Sequence, residues 1–153
     1  MLDPKESKNG TLSSCSSMIF FHGLGGHGSE WYEKLSRLVP ENTELICPTA
    51  SFMNVTRYEN EMRAWFDSHY EDRMDVGDPE NLKKSSEYML KLIEMEIQRG
   101  ILPHKIVIGG FSQGGAVSFY TGVNCPHKIG GAVILSAWLP CYKELIENKA
   151  RTF

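Results

Sequence analysis

Short apolar runs alternate with longer amphipathic stretches along this chain. Met18-Ile19-Phe20-Phe21 is unbroken apolar and ends at a glycine cluster, which predicts a buried strand. A helix is expected over about 30–38, with Ser29 as its N-cap and Pro40 beyond its end. Leu45-Ile46-Cys47 reads as a second buried strand, stopped by Pro48. Residues 49–80 are mixed, with a short helix expected through Met62-Arg63-Ala64-Trp65-Phe66. From Pro79 to Arg99 the apolar positions Leu82, Met89, Ile93 and Ile97 recur on one helical face, with Asp78 as cap and Gly100 as stop. Lys105-Ile106-Val107-Ile108 predicts a third strand, Gln113 to about Val123 a helix, and Ala132-Val133-Ile134-Leu135 a fourth strand. Strands alternating with helices imply βαβ units and a parallel sheet. The first sixteen residues read as a flexible tail, and Cys141–Phe153 as a polar, weakly helical ending.

Composition narrows the class. The chain has 153 residues, 41% of them hydrophobic and 23% charged, which suits one globular domain with an ordinary core. Sixteen Lys+Arg against nineteen Asp+Glu give a net charge of -3, and no basic run exceeds two residues, so no nucleic-acid footprint is expected. No apolar run approaches the roughly 20 residues of a transmembrane helix. The polar start lacks a signal-peptide core, and Cys15, Cys47, Cys125 and Cys141 are widely spaced without a CxxC pair. A reduced, cytoplasmic protein without a metal or other cofactor is the expectation. The sequons at Asn9 and Asn54 then read as chance matches. Cys15 has no adjacent apolar or basic signal for lipidation.

The candidate chemistry lies in two glycine-rich turns at the carboxyl ends of predicted strands, where parallel sheets place their sites. Gly110-Phe111-Ser112-Gln113-Gly114 fits the nucleophile elbow, G-x-S-x-G. Turning sharply from strand to helix strains the serine backbone and crowds the positions two before and two after it, which glycine relieves. The hydroxyl of Ser112 then projects above the sheet beside a helix N-terminus, whose N–H at Gln113 favours a developing oxyanion. The alternative is an ordinary Gly/Ser loop. The earlier cluster, His22-Gly23-Leu24-Gly25-Gly26-His27-Gly28, contains the spacing of a dinucleotide fingerprint. That fold needs an acid at the end of the next strand, and here the strand ends Ile46-Cys47-Pro48. The cluster fits better as a loop that turns the backbone N–H at Leu24 toward a reacting carbonyl. Met62, Trp65 and Phe66 either line an acyl pocket or pack in the core.

The chain resembles the acyl-protein thioesterases, the lysophospholipase/carboxylesterase branch of the α/β-hydrolases. The resemblance rests on 21–25, Ile46-Cys47-Pro48, Trp65-Phe66-Asp67, Gly109 to Ala116 and Leu135 to Pro140, in family order and spacing. It implies an α/β-hydrolase-type parallel sheet with flanking helices over 17–140, lacking the last strands of the full fold. It also implies a serine hydrolase for S-acylated proteins or lysophospholipids. Ser112 becomes the nucleophile, Leu24 and Gln113 carry the oxyanion donors, and Trp138-Leu139-Pro140 borders the acyl channel. Two departures stand out. Gly26 replaces the usual acid after the Gly-Leu-Gly turn, and the triad Asp and His belong to strand–helix units that follow Pro140 in the family. His22, His27, His69, His104 and His127 are not expected to replace them. This chain is therefore expected to be a poor catalyst, with a non-catalytic acyl-binding or partner-binding form as the alternative. The fourth strand is expected as an open sheet edge that invites self-association.

Overall fold

The computed structural model describes residues 15–69 and 78–150. Four parallel strands form the sheet, in the order β2-β1-β5-β6. The two inner strands, β1 (Ser16–Phe21) and β5 (Ile106–Phe111), are the apolar runs of the sequence. Parallel strands covered on both faces are expected to be apolar throughout, and Ile19, Phe20, Phe21, Ile106 and Ile108 are indeed fully buried. The outer strands are β2 (Thr43–Ile46) and β6 (Gly131–Leu135).

Side-chain alternation along β1 assigns the two faces. Phe20 meets Trp31 of α1 (Gly28–Leu35) at 4.7 Å between ring centroids. Phe21 points the other way, toward Tyr88 of α2 (Pro79–Gln98) at 5.9 Å. Helix α3 (Gln113–Asn124) packs beside α2 on that second face. The periodicity of α2 holds: Leu82, Met89 and Ile93 are fully buried, and Asp78 caps the first turn through Asn81 N at 3.1 Å. The base of α2 is pinned to β1, where Ser17 Oγ donates to the buried Glu96, which also pairs with Arg99 at 2.7 Å.

The structure departs from the sequence reading in three places. The short helix expected over Met62–Phe66 does not form. Met62 belongs instead to β4 (Asn60–Arg63), paired antiparallel with β3 (Phe52–Val55) in a separate hairpin around a 3-10 turn at Thr56–Tyr58. The i, i+3, i+4 spacing of Met62, Trp65 and Phe66 imitates a helical face, but tertiary contacts recruit these side chains. Trp65 stacks on Phe21 with centroids 4.0 Å apart. The N-cap of α1 is His27 rather than Ser29, its Nδ1 accepting from Ser29 N at 3.2 Å. The helix ends at Leu35 instead of Leu38.

At the amino end most of the expected tail lies outside the described residues, and Ser16 already belongs to β1, bonded to Thr43 Oγ1 at 2.8 Å. Strand β6 is an edge that pairs, among the described residues, with β5 alone, leaving Val133 and Leu135 exposed. The polar ending forms α4 (Tyr142–Ala150). No helix among the described residues is long and apolar enough to cross a membrane.

Candidate active site

Register brings the two glycine turns together. Phe21 of β1 lies opposite Gly110 of β5, so the loops leaving both strands emerge side by side at one end of the sheet. Ser112 occupies the turn between β5 and α3 with φ 50° and ψ −117°, a conformation that costs a non-glycine residue about 1–3 kcal/mol. Its surroundings enforce it. The Ser112 N–H extends the ladder to Leu135 O at 2.9 Å. A Cβ on Gly110 would lie 2.3 Å from the Gly114 carbonyl carbon, and one on Gly114 would lie 2.3 Å from Phe21 O. The flanking glycines are thus required, although Gly114 is crowded by β1 rather than by Gly110.

The first turn is held differently. His22 is fully buried, with Nδ1 2.7 Å from Gly23 O, and Ala50 N–H donates to its Nε2 at 2.9 Å. The accepting Nε2 makes Nδ1 the protonated nitrogen of a neutral ring, donating to Gly23 O. Burial lowers the pKa below the usual 6.5, opposed by the Gly23 bond, which raises it. Gly25, with φ 72°, donates its N–H to Arg63 O at 2.8 Å, and Gly26 N–H closes the turn on Gly23 O at 3.0 Å. Leu24, between Gly23 and Gly25, is left with its N–H without an acceptor among the described residues, as is Gln113 at the start of α3. The Gln113 side chain is fully engaged: Trp65 N–H donates to Oε1 at 2.8 Å, and Nε2 donates to Phe66 O at 2.7 Å.

Ser112, Leu24, Gln113, Met62 and Trp138 line one cavity of about 260 Å³. Leu139 does not line it. Phe66, edge-on to Trp138 at 6.3 Å, adds to the apolar wall, whereas Trp65 is buried against Phe21 with its indole N–H on His22 O at 2.8 Å. Of the two readings of Met62, Trp65 and Phe66, lining therefore holds for the first and third and core packing for the second. Trp138 Nε1 is buried without a hydrogen-bond partner among the described residues. Three lining residues carried no signal in the sequence: Arg57, Tyr58 and Ser68 stand in no recognisable motif, and they arrive through the hairpin's 3-10 turn and its tie from Arg57 N–H to Ser68 O.

None of the five histidines lines this cavity. Both ring nitrogens of His22 are occupied. His27 is committed to capping α1, His69 faces Asp67 at 3.4 Å, and His127 faces Glu94 at 2.5 Å. His104 lies in a 3-10 turn at the opposite end of β5. The dinucleotide alternative also fails on geometry. Gly28 packs the helix onto the Cys47 carbonyl, as either reading requires, but β2 ends at Ile46 and runs into Cys47-Pro48, with no acid there to hold a ribose.

Comparison with known proteins agrees with this geometry. The phospholipase/carboxylesterase family profile matches residues 8–152. The chain belongs to that family. It is 36% identical over 134 residues to acyl-protein thioesterase 1 of Gibberella zeae, covering 81% of this chain and 57% of that protein. The acyl-protein thioesterase 1 of Saccharomyces cerevisiae is 37% identical over 130 residues, with 80% and 57% covered. Among solved structures, Arabidopsis thaliana SOBER1 superposes with a TM-score of 0.78 at 26% identity, covering 88% of this chain and 67% of that one. Zea mays acyl-protein thioesterase 2 superposes with 0.72 at 29%, covering 94% and 63%. The fold is that of the α/β-hydrolases, and the chain spans about three-fifths of the length of the curated relatives it matches.

Proposed function

We propose that this chain carries the nucleophile half of a cytoplasmic serine hydrolase acting on long-chain acyl thioesters or esters, on S-acylated proteins or lysophospholipids. Ser112 Oγ attacks the acyl carbonyl, and the backbone N–H groups of Leu24 and Gln113 receive the oxyanion. Each such donor stabilises the transition state by very roughly 3 kcal/mol. Collapse of the tetrahedral adduct expels the thiol or alcohol, and water then releases the acid. The acyl chain lies against Met62, Phe66 and Trp138. No cofactor takes part in this scheme. The observation that supports the reading best is the strained serine opening into a cavity with two N–H groups lacking acceptors.

The attack also needs a base within about 3 Å of the hydroxyl, and no histidine lines the cavity. This favours a second reading, in which the chain as given binds acyl groups and turns over slowly. A triad enzyme stripped of its base and orienter retains about 10³–10⁴-fold over water. A fluorophosphonate probe separates the two. Labelling of the folded chain that disappears in Ser112→Ala supports the nucleophile. A folded sample that stays unlabelled at millimolar probe, yet binds a long-chain acyl thioester, leaves only the second reading.

A further inference from the structure

The hydrolase reading gives Arg57 no role, yet among the described residues it is the one cation on the lining of the Ser112 cavity. The 3-10 turn between β3 and β4 presents it, and its backbone N–H is fixed to Ser68 O at 2.8 Å. Among the described residues its guanidinium meets no carboxylate; its neighbour is the Tyr58 ring, with Cζ 5.7 Å from the centroid. The adjacent acid, Asp67, is committed elsewhere: it accepts from Thr56 N at 2.7 Å, from Thr56 Oγ1 and from Ser68 N, and it faces His69. The chain as a whole is acidic, so a cation here is not a by-product of composition. Leu24, Met62, Phe66 and Trp138 give the same cavity an apolar lining.

We infer that Arg57 is a specificity-determining anion site, taking the phosphate of a single-chain phospholipid whose acyl ester meets Ser112. The inference rests on the hydrolase reading. A guanidinium presents a planar fork of donors that matches phosphate oxygens. Ser112 and Arg57 line the same cavity of about 260 Å³, so a substrate seated at Ser112 can offer an anion to Arg57. Glycerol carries an acyl ester and a phosphate on one three-carbon unit. An acylated cysteine brings neutral peptide backbone there instead.

The test reads binding, not turnover. The full chain and its Ser112→Ala variant are titrated with dodecyl phosphate and with uncharged dodecyl maltoside, below micelle formation, following tryptophan fluorescence. Dodecyl phosphate is expected to bind roughly tenfold more tightly. Arg57→Gln removes that preference while leaving the maltoside affinity in place, and Arg57→Lys keeps part of it. Thermal melts verify that each variant is folded. Equal affinities in the parent chain, or a preference that survives Arg57→Gln, overturn the assignment. So does Arg57-dependent binding of an acyl-cysteine peptide flanked by glutamates when dodecyl phosphate binds no better than the maltoside. Failure of Ser112 to label with the phosphonate while the phosphate preference persists removes the hydrolase reading and leaves the anion site. Labelling without a charge preference removes the anion site alone.

Discussion

The two glycine-rich turns stand side by side and reach similar precision by opposite means. The turn at Ser112 is fixed by crowding. Gly110, Gly114 and Gly115 each sit where a Cβ would come within 2.8 Å of another atom, so the backbone has nowhere else to go. The turn at Leu24 is roomier, with Gly25 and Gly26 meeting nothing closer than 3.1 Å, and it is fixed by hydrogen bonds to His22, Gly23 and Arg63. Steric enforcement tolerates no added atom but is indifferent to pH. Enforcement by a buried imidazole tolerates small steric changes but depends on one proton.

The largest effect is expected where crowding rules. Gly110→Ala forces a methyl into the Gly114 backbone and should cost more than about 4 kcal/mol, abolishing the cooperative melt seen by circular dichroism. His22→Ala comes next. It removes a fully buried ring and leaves the Ala50 N–H without its acceptor, an expected loss of about 2–4 kcal/mol by urea titration.

The pH response sharpens the contrast further. The folded pKa of His22 lies below the unfolded 6.5, so the unfolded chain binds the extra proton first. Its stabilising contribution is complete above pH 6.5 and declines as pH falls from 6.5 toward the lowered value. Melting temperature measured across that window should fall with acid in the parent chain, and by less in His22→Asn. An equal slope in both would remove His22 as the sensitive group. The smallest effect belongs to Gly25→Ala. Its positive φ and a Met62 contact of 3.2 Å predict a loss of about 1 kcal/mol, with the fold retained.

The elbow and α2 were legible in the sequence because each carries a local pattern. Gly110-x-Ser112-x-Gly114 displays the two glycines the turn needs, although the crowding at Gly114 comes from β1, and the apolar period of α2 needs only one sheet face to pack on. The register of β1 on β5, which brings the two turns together, had no local signal in the sequence. The hairpin at 52–63 was not legible. Phe52 and Asn54 are exposed and Met53 is half-buried, so the strand lacks a continuous apolar face. Its structure depends on Arg63, which reaches the Ala50 carbonyl at 3.1 Å, and on the ties to Gly25 and Ser68. These are long-range contacts without a local period. Arg57 was hidden for the same reason. The cap of α1 escaped because a histidine does the work usually left to serine or aspartate.

Gln113 turns these separate pieces into one mechanical unit. Its main chain begins the helix that follows Ser112, while its side-chain amide clamps the strip Trp65-Phe66 from both directions. The clearance between the Ser112 hydroxyl and the aromatic wall is therefore set by a single rigid spacer. In the proposed hydrolase, a bulkier acyl group would find its room on the Met62 side, where an unbranched thioether can swing aside, rather than by prying the wall away from the serine.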